Sequence, residues 1–176
     1  MKREELLDLN EALQYPGKKL VFQVSTELAT EEDIDILEPI VGSLEGISTG
    51  NVLLIDGSFV TKVVMECARC GSPLELEIRF VMEDEFQVEG TPSSFAHDGF
   101  AKVVSDEPEA IFQGNSLIRD AYVRQGLLLN LPIQPLCSGS WDIPCPKSEQ
   151  TVKNEHAAGH PSFQLLSELI DQEKKG

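Results

Sequence analysis

The sequence predicts an α+β fold: an antiparallel β-meander sheet, able to curl toward a barrel, with a packed helix after a long mobile loop and short helices at the two ends. Three observations carry this. First, Leu74, Leu76, Ile78, Phe80, Met82, Phe86 and Val88 alternate with Glu75, Glu77, Arg79, Glu83, Glu85 and Glu89, and period two marks a strand buried on one face. Asp84 alone breaks the apolar row. Second, short apolar runs between Ile40 and Glu66 are separated by glycine-containing turn signals. Third, Leu117, Ile118, Ala121, Tyr122, Leu128 and Leu129 fall within one face of a helix that Pro132 must stop.

In chain order, Leu6, Leu7, Leu9 and Leu13 suit a short amphipathic helix ending near Pro16-Gly17. Leu20, Phe22 and Val24 then alternate with Val21, Gln23 and Ser25 as a first strand. The acidic stretch from Glu31 to Glu38 reads as a solvated connector ended by Pro39. A strand over Ile40–Ile47 is interrupted by Gly42 and Gly46, Gly50-Asn51 turns the chain, and Val52–Ile55 is wholly apolar. Asp56-Gly57 is the strongest two-residue hairpin signal in the chain. Phe59–Glu66 and Leu74–Val88 complete the meander, since short turns make consecutive strands neighbours.

Residues 89–113 hold Gly90, Pro92, Ser93, Ser94, Gly99 and Pro108 among several acids and read as a mobile loop. Asn115 or Ser116 can cap the helix that follows, and Gly126 weakens it by about 1 kcal/mol relative to alanine. Pro132 and Pro135 force an extended path that delivers Cys137. A polar segment near 146–160 reads as mobile. Pro161 then opens a last short helix with Phe163, Leu166 and Leu169 as its stripe.

At 176 residues without a repeated period, the chain has the size of one cored domain, residues 1–176. Charge is lopsided: 14 Lys and Arg stand against 30 Asp and Glu, a net charge of -16. Such a field repels phosphate and attracts basic partners, so direct nucleic-acid binding needs a local patch. Lys62, Arg69, Arg79, Arg119 and Arg124 are the residues that would form one if the fold brought them together. No apolar run approaches the ~20 residues of a membrane span, and the N-terminus lacks the apolar core of a secretory signal. These features predict a soluble, intracellular protein whose four cysteines are reduced thiols or metal ligands rather than disulfides.

Cys67 and Cys70 have the two-residue spacing with which a tight turn chelates one ion, and Gly71 supplies the freedom such a knuckle needs. Cys137 and Cys145 form a second, wider pair. Two readings are open: a four-thiolate zinc site tying the strand turn to the loop after the helix, or four independent, partly buried thiols. A redox use of Cys67 and Cys70 would need a helix N-terminus to lower the first thiol's pKa, whereas strands flank this motif. His97, His156 and His160 lie in polar, loop-like stretches, and no phosphate-cradling loop or nucleophile elbow is present. The residues do not call for an enzyme.

The strand-borne MECARCGSPLELEIRFVMEDEF, the helix LIRDAYVRQGLLLNLPIQPLC and the terminal PSFQLLSELI, in that order, resemble the YceD family of large ribosomal RNA subunit accumulation proteins over roughly residues 40–170. The resemblance implies a non-enzymatic factor for accumulation or processing of large-subunit ribosomal RNA, in the bacterial cytoplasm or the plastid stroma. The resemblance implies a third cysteine midway through the second cluster, as in many members, where this chain has Trp141. The expected action is binding of a basic ribosomal protein, or of a precursor RNA–protein particle, through acidic faces. The alternatives are a zinc-stabilised interaction module with no ribosomal role and a thiol oxidoreductase using Cys67 and Cys70.

Overall fold

A computed structural model describes residues 6–28, 34–94, 100–104 and 111–146. The chain falls into two compact units, one of Met1–Met65 and Glu75–Ile133, the other of Glu66–Leu74 and Gln134–Gly176. In order, the elements are β1 (Leu6–Asp8), α1 (Asn10–Gln14), β2 (Lys19–Thr26), β3 (Asp35–Ile36), β4 (Ile40–Ser48), β5 (Val52–Glu66), β6 (Pro73–Glu89), β7 (Lys102–Val104), β8 (Phe112–Gln113), β9 (Ser116–Ile118) and α2 (Arg119–Asn130). The larger sheet has six strands along the path β2-β4-β5-β6-β7, with β3 added to β5. The smaller sheet runs β1-β9-β8. Among the described strands the path ends at β2 and β7 without closing, so the sheet is open and not a barrel.

The alternation in β6 does what period two requires: Ile78, Phe80, Met82 and Val88 are buried, Asp84 and Phe86 on the same face are half-buried, and the residues of the other face are exposed. These side chains meet Leu53, Ile55, Phe59 and Val63 of β5 and Tyr122, Val123 and Leu127 of α2 in one apolar core. Asp84, the residue that interrupts the apolar row, accepts a 2.8 Å hydrogen bond from the Tyr122 hydroxyl. Burial, then this bond, pushes the Tyr122 phenol up, so it stays a protonated donor. The Gly50-Asn51 turn forms as expected, with the Thr49 N–H donating to the Val52 carbonyl at 2.9 Å.

Several expectations change. Asp56-Gly57 is not a hairpin: both residues lie inside the continuous 15-residue β5, opposite Glu45 and Leu44. Neither has the positive φ that such a turn demands. Gly57 is instead covered by the Phe59 ring, where an added Cβ would stand 2.6 Å from Cε2. Gly42 likewise does not interrupt β4. A Cβ there would lie 2.1 Å from the Ser58 carbonyl oxygen, so the glycine permits the close approach of β4 and β5.

The first leucines do not share one helix. Leu6–Asp8 pair with Ser116–Ile118 as a strand, and the Asp8 carboxylate accepts the Asn10 N–H at 2.8 Å to start a helix of five residues. The loop expected over 89–113 contributes β7, which pairs Gln87–Glu89 with Lys102–Val104, and β8. Buried Gln14 fastens its two ends, donating to the Ala101 carbonyl at 2.9 Å and accepting the Ser93 N–H at 2.9 Å. Residues 95–99 and 105–110 of that loop lie outside the described residues, as do the segment from 147 onward and the helix expected at Pro161.

Helix α2 starts at Arg119 with Ile118 as its cap residue, not at Asn115 or Ser116. The Asn115 amide is committed elsewhere, donating to the Ala101 carbonyl and to Asn10, each at 3.0 Å. Its buried face is Tyr122, Val123, Gly126 and Leu127, while Leu128 and Leu129 are exposed. Gly126 is a packing requirement, because an added Cβ would sit 2.0 Å from Met82 Sδ.

Candidate metal centre

The second unit takes its shape from a few backbone bonds. At the end of β5 the Cys67 N–H donates to the Ser72 carbonyl at 2.8 Å, and the Gly71 N–H donates to the Cys67 carbonyl at 2.9 Å. Gly71 has φ +65, a left-handed conformation that glycine adopts without a Cβ clash. The resulting knuckle points Cys67 and Cys70 to one side. Pro132 and Pro135 lead the second segment in, as the sequence predicts, and the Pro135 carbonyl accepts the Ala68 N–H at 2.8 Å. Cys137 follows. The chain then turns, with the Gly139 N–H on the Leu136 carbonyl at 3.1 Å and the Ser138 hydroxyl on the Ser140 carbonyl at 2.8 Å, before reaching Cys145.

These turns gather the four sulfurs. Cys67 Sγ lies 3.8 Å from Cys145 Sγ, Cys70 Sγ lies 3.8 Å from Cys137 Sγ, and all four fall within 4.8 Å of one another. No disulfide joins them, since one would bring a pair to ~2.05 Å. A tetrahedral ion with ~2.3 Å bonds to sulfur has sulfur–sulfur edges of ~3.8 Å. The donor set is all cysteine sulfur, half of it buried, and its spacing could hold one metal ion.

The electrostatics agree with the geometry. Backbone N–H groups of Cys137 and Arg69 pull the Cys67 thiol down to about 6. The Ser72 hydroxyl, with its oxygen 3.3 Å from Cys70 Sγ, lowers Cys70 as well. Cys137 is pushed up to about 12 by its hydrogen bond with Cys145, then by burial. For Cys145 the bond with Cys137 acts downward, but burial and the Cys67 and Cys70 thiols outweigh it and raise the group. Four negative sulfurs this close would repel one another, and a cation at their centre relieves that repulsion.

Arg69, between the knuckle cysteines, reaches the second segment. Its Nη1 donates to the Ile143 carbonyl at 2.7 Å, its Nη2 donates to the Trp141 carbonyl, and its guanidinium carbon stands 5.0 Å from the centre of the Trp141 ring. The other cations named from the sequence belong to the first unit. Lys62 pairs with Glu38 at 2.6 Å, and the Glu38 hydrogen bond raises its ammonium group. Arg79 pairs with Glu77 at 2.7 Å, Arg119 pairs with Asp120 at 2.9 Å and donates to the Thr26 hydroxyl, and Arg124 lies in α2. His97, His156 and His160 lie outside the described residues.

Sequence reasoning passed over Ser72 and the Arg69–Trp141 contact. The available signals were a hydroxyl two residues beyond Cys70 and the chain's single tryptophan between the loop cysteines. No curated protein and no solved structure matches the chain. Residues 55–170, well over half of the 176 and a span that includes all four cysteines, match the family described as Large ribosomal RNA subunit accumulation protein YceD, and the chain belongs to that family.

Proposed function

We propose that this protein is a non-enzymatic factor for accumulation or processing of large-subunit ribosomal RNA, acting in ribosome assembly by binding a basic ribosomal protein or a protein–RNA intermediate. The observation that carries the reading is family membership across the span holding the thiol tetrad. Charge supports the choice of partner: Glu75, Glu77, Glu83, Glu85 and Glu89 are all exposed on the solvent face of β6, in a chain of net charge -16. Such a face draws a basic segment faster than a neutral one and loses grip in salt. The compartment that fits is one that keeps thiols reduced, the bacterial cytoplasm or the plastid stroma.

Zinc is the ion proposed for the tetrad, held by Cys67, Cys70, Cys137 and Cys145. Four thiolates in tetrahedral array suit zinc, which brings no redox chemistry, and a set closed by four protein ligands is structural in kind. Its contribution would be to fix the knuckle and the 137–145 loop against each other.

Two measurements test this. Affinity capture from cells at moderate salt should recover large-subunit ribosomal proteins or precursor ribosomal RNA, and recovery of neither would overturn the functional reading. Elemental analysis of protein purified without chelator should find about one zinc per chain; iron in its place, or no metal, would reject zinc.

A further inference from the structure

We infer that Arg69 is a positioning residue of the thiol centre: its guanidinium clamps the Trp141–Ile143 segment and thereby holds Cys145 in place. The proposal rests on the metal reading above and extends it to a residue that donates no ligand atom. Two cysteines of the tetrad sit on a self-closed knuckle, whereas Cys137 and Cys145 are separated by a seven-residue loop. That loop has more conformations to lose than a two-residue turn. It is tied to the knuckle at two places. The Ala68 N–H on the Pro135 carbonyl fixes the approach to Cys137. Arg69, the next residue along, fixes the approach to Cys145 by donating to the carbonyls of Trp141 and Ile143 while stacking on the indole.

The fork geometry is what makes arginine suitable. Two N–H groups of one plane reach two carbonyls two residues apart, and the same guanidinium lies over an aromatic ring. Lysine offers one compact charge and could not do the three together. Trp141 is 54% exposed, so the indole serves as a platform for the guanidinium rather than as a core side chain. Loss of the clamp frees the 141–145 segment, and Cys145 then leaves the ion more often.

The test uses the full-length protein and variants Arg69→Gln, Arg69→Lys and Trp141→Leu, with transfer of Zn²⁺ to a colorimetric chelator as the readout. Arg69→Gln should release zinc about tenfold faster than wild type, the effect of losing roughly one charge-assisted hydrogen bond net of solvation. Arg69→Lys should behave like Arg69→Gln, and Trp141→Leu, which keeps the carbonyls, should be about threefold faster than wild type. Fluorescence anisotropy of the single tryptophan should fall in both Arg69 variants, reporting a looser segment whether or not metal is bound. Hydrogen exchange in β2 and β4 serves as the check that the first unit is folded.

Wild-type release and anisotropy in Arg69→Gln would overturn the clamp. So would a wild-type Arg69→Lys beside an impaired Arg69→Gln, because charge rather than geometry would then be responsible. If wild type carries no metal, the metal reading fails, and unchanged anisotropy in the Arg69 variants would remove the clamp as well.

Discussion

The two compact units hold themselves together by different means. In the first, Leu9, Leu13, Leu44, Leu53, Ile55, Val63, Leu117, Val123 and Leu127 are buried in one continuous core. Among the described residues of the second, the buried side chains are Cys67, Pro135 and Cys145. Burying apolar surface returns about 25 cal/mol per Å², enough for a six-stranded sheet with helices against it. Fixing a residue's backbone costs about 1–2 kcal/mol, and a run of turns whose apolar side chains, Trp141 and Ile143 among them, stay largely exposed has little burial to offset that. A small unit of this kind needs a cross-link, and four convergent thiols supply the place for one. The lesson is that a long sheet and a knuckle in one chain can depend on separate sources of stability.

The largest effect should come from removing a sulfur. Cys70→Ser is expected to abolish stoichiometric zinc and with it a binding free energy on the order of 10 kcal/mol. Amide hydrogen exchange should then show residues 66–74 and 134–146 losing protection while β2, β4 and β5 keep theirs. Simultaneous loss in the sheet would break the comparison, since it would make the two units one cooperative structure.

Gly42→Ala probes the other side. Its new Cβ would meet the Ser58 carbonyl oxygen at 2.1 Å and the Phe59 Cα at 2.9 Å, and backbone cannot yield as a flexible side chain can. A loss of about 3 kcal/mol is expected from the urea midpoint, with zinc content unchanged.

Acidification should act on the second unit. Near pH 7.5 the raised Cys137 and Cys145 thiols hold protons that a metal must displace, so binding releases protons and affinity rises with pH. Each proton released makes the affinity fall about tenfold per unit of pH decrease, so zinc binding should weaken steeply on acidification. Competition titrations against a chelator of known pH dependence would measure this, and a flat profile would remove the thiols as ligands.

The smallest effect is that of Tyr122→Phe, which leaves Asp84 without the donor now 2.8 Å away. It should cost about 1–2 kcal/mol in the first unit and leave zinc release at the wild-type rate.

Legibility in the sequence followed the range of the interaction. The strand from Leu74, the helix stop at Pro132, the Gly50-Asn51 turn and the Cys67–Cys70 knuckle are local, and each was readable. Asp84 was visible as a break in the apolar row, and its partner, 38 residues away, was not. Asp56-Gly57 misled because a hairpin dipeptide also fits an exposed position followed by one beneath an aromatic ring. Leu6–Asp8 misled because pairing with Ser116–Ile118 outweighed helical leucine spacing.

By itself the sequence determined the strand periodicity, the acidic balance, the two cysteine pairs and the family. Tertiary structure decided that Cys137 and Cys145 meet Cys70 and Cys67 across 67 and 78 residues, and that Arg69 lies over Trp141. The physical reason is that periodicity and turn chemistry act over a few residues, whereas sulfur atoms a few ångströms apart depend on where every intervening strand and loop has put the chain.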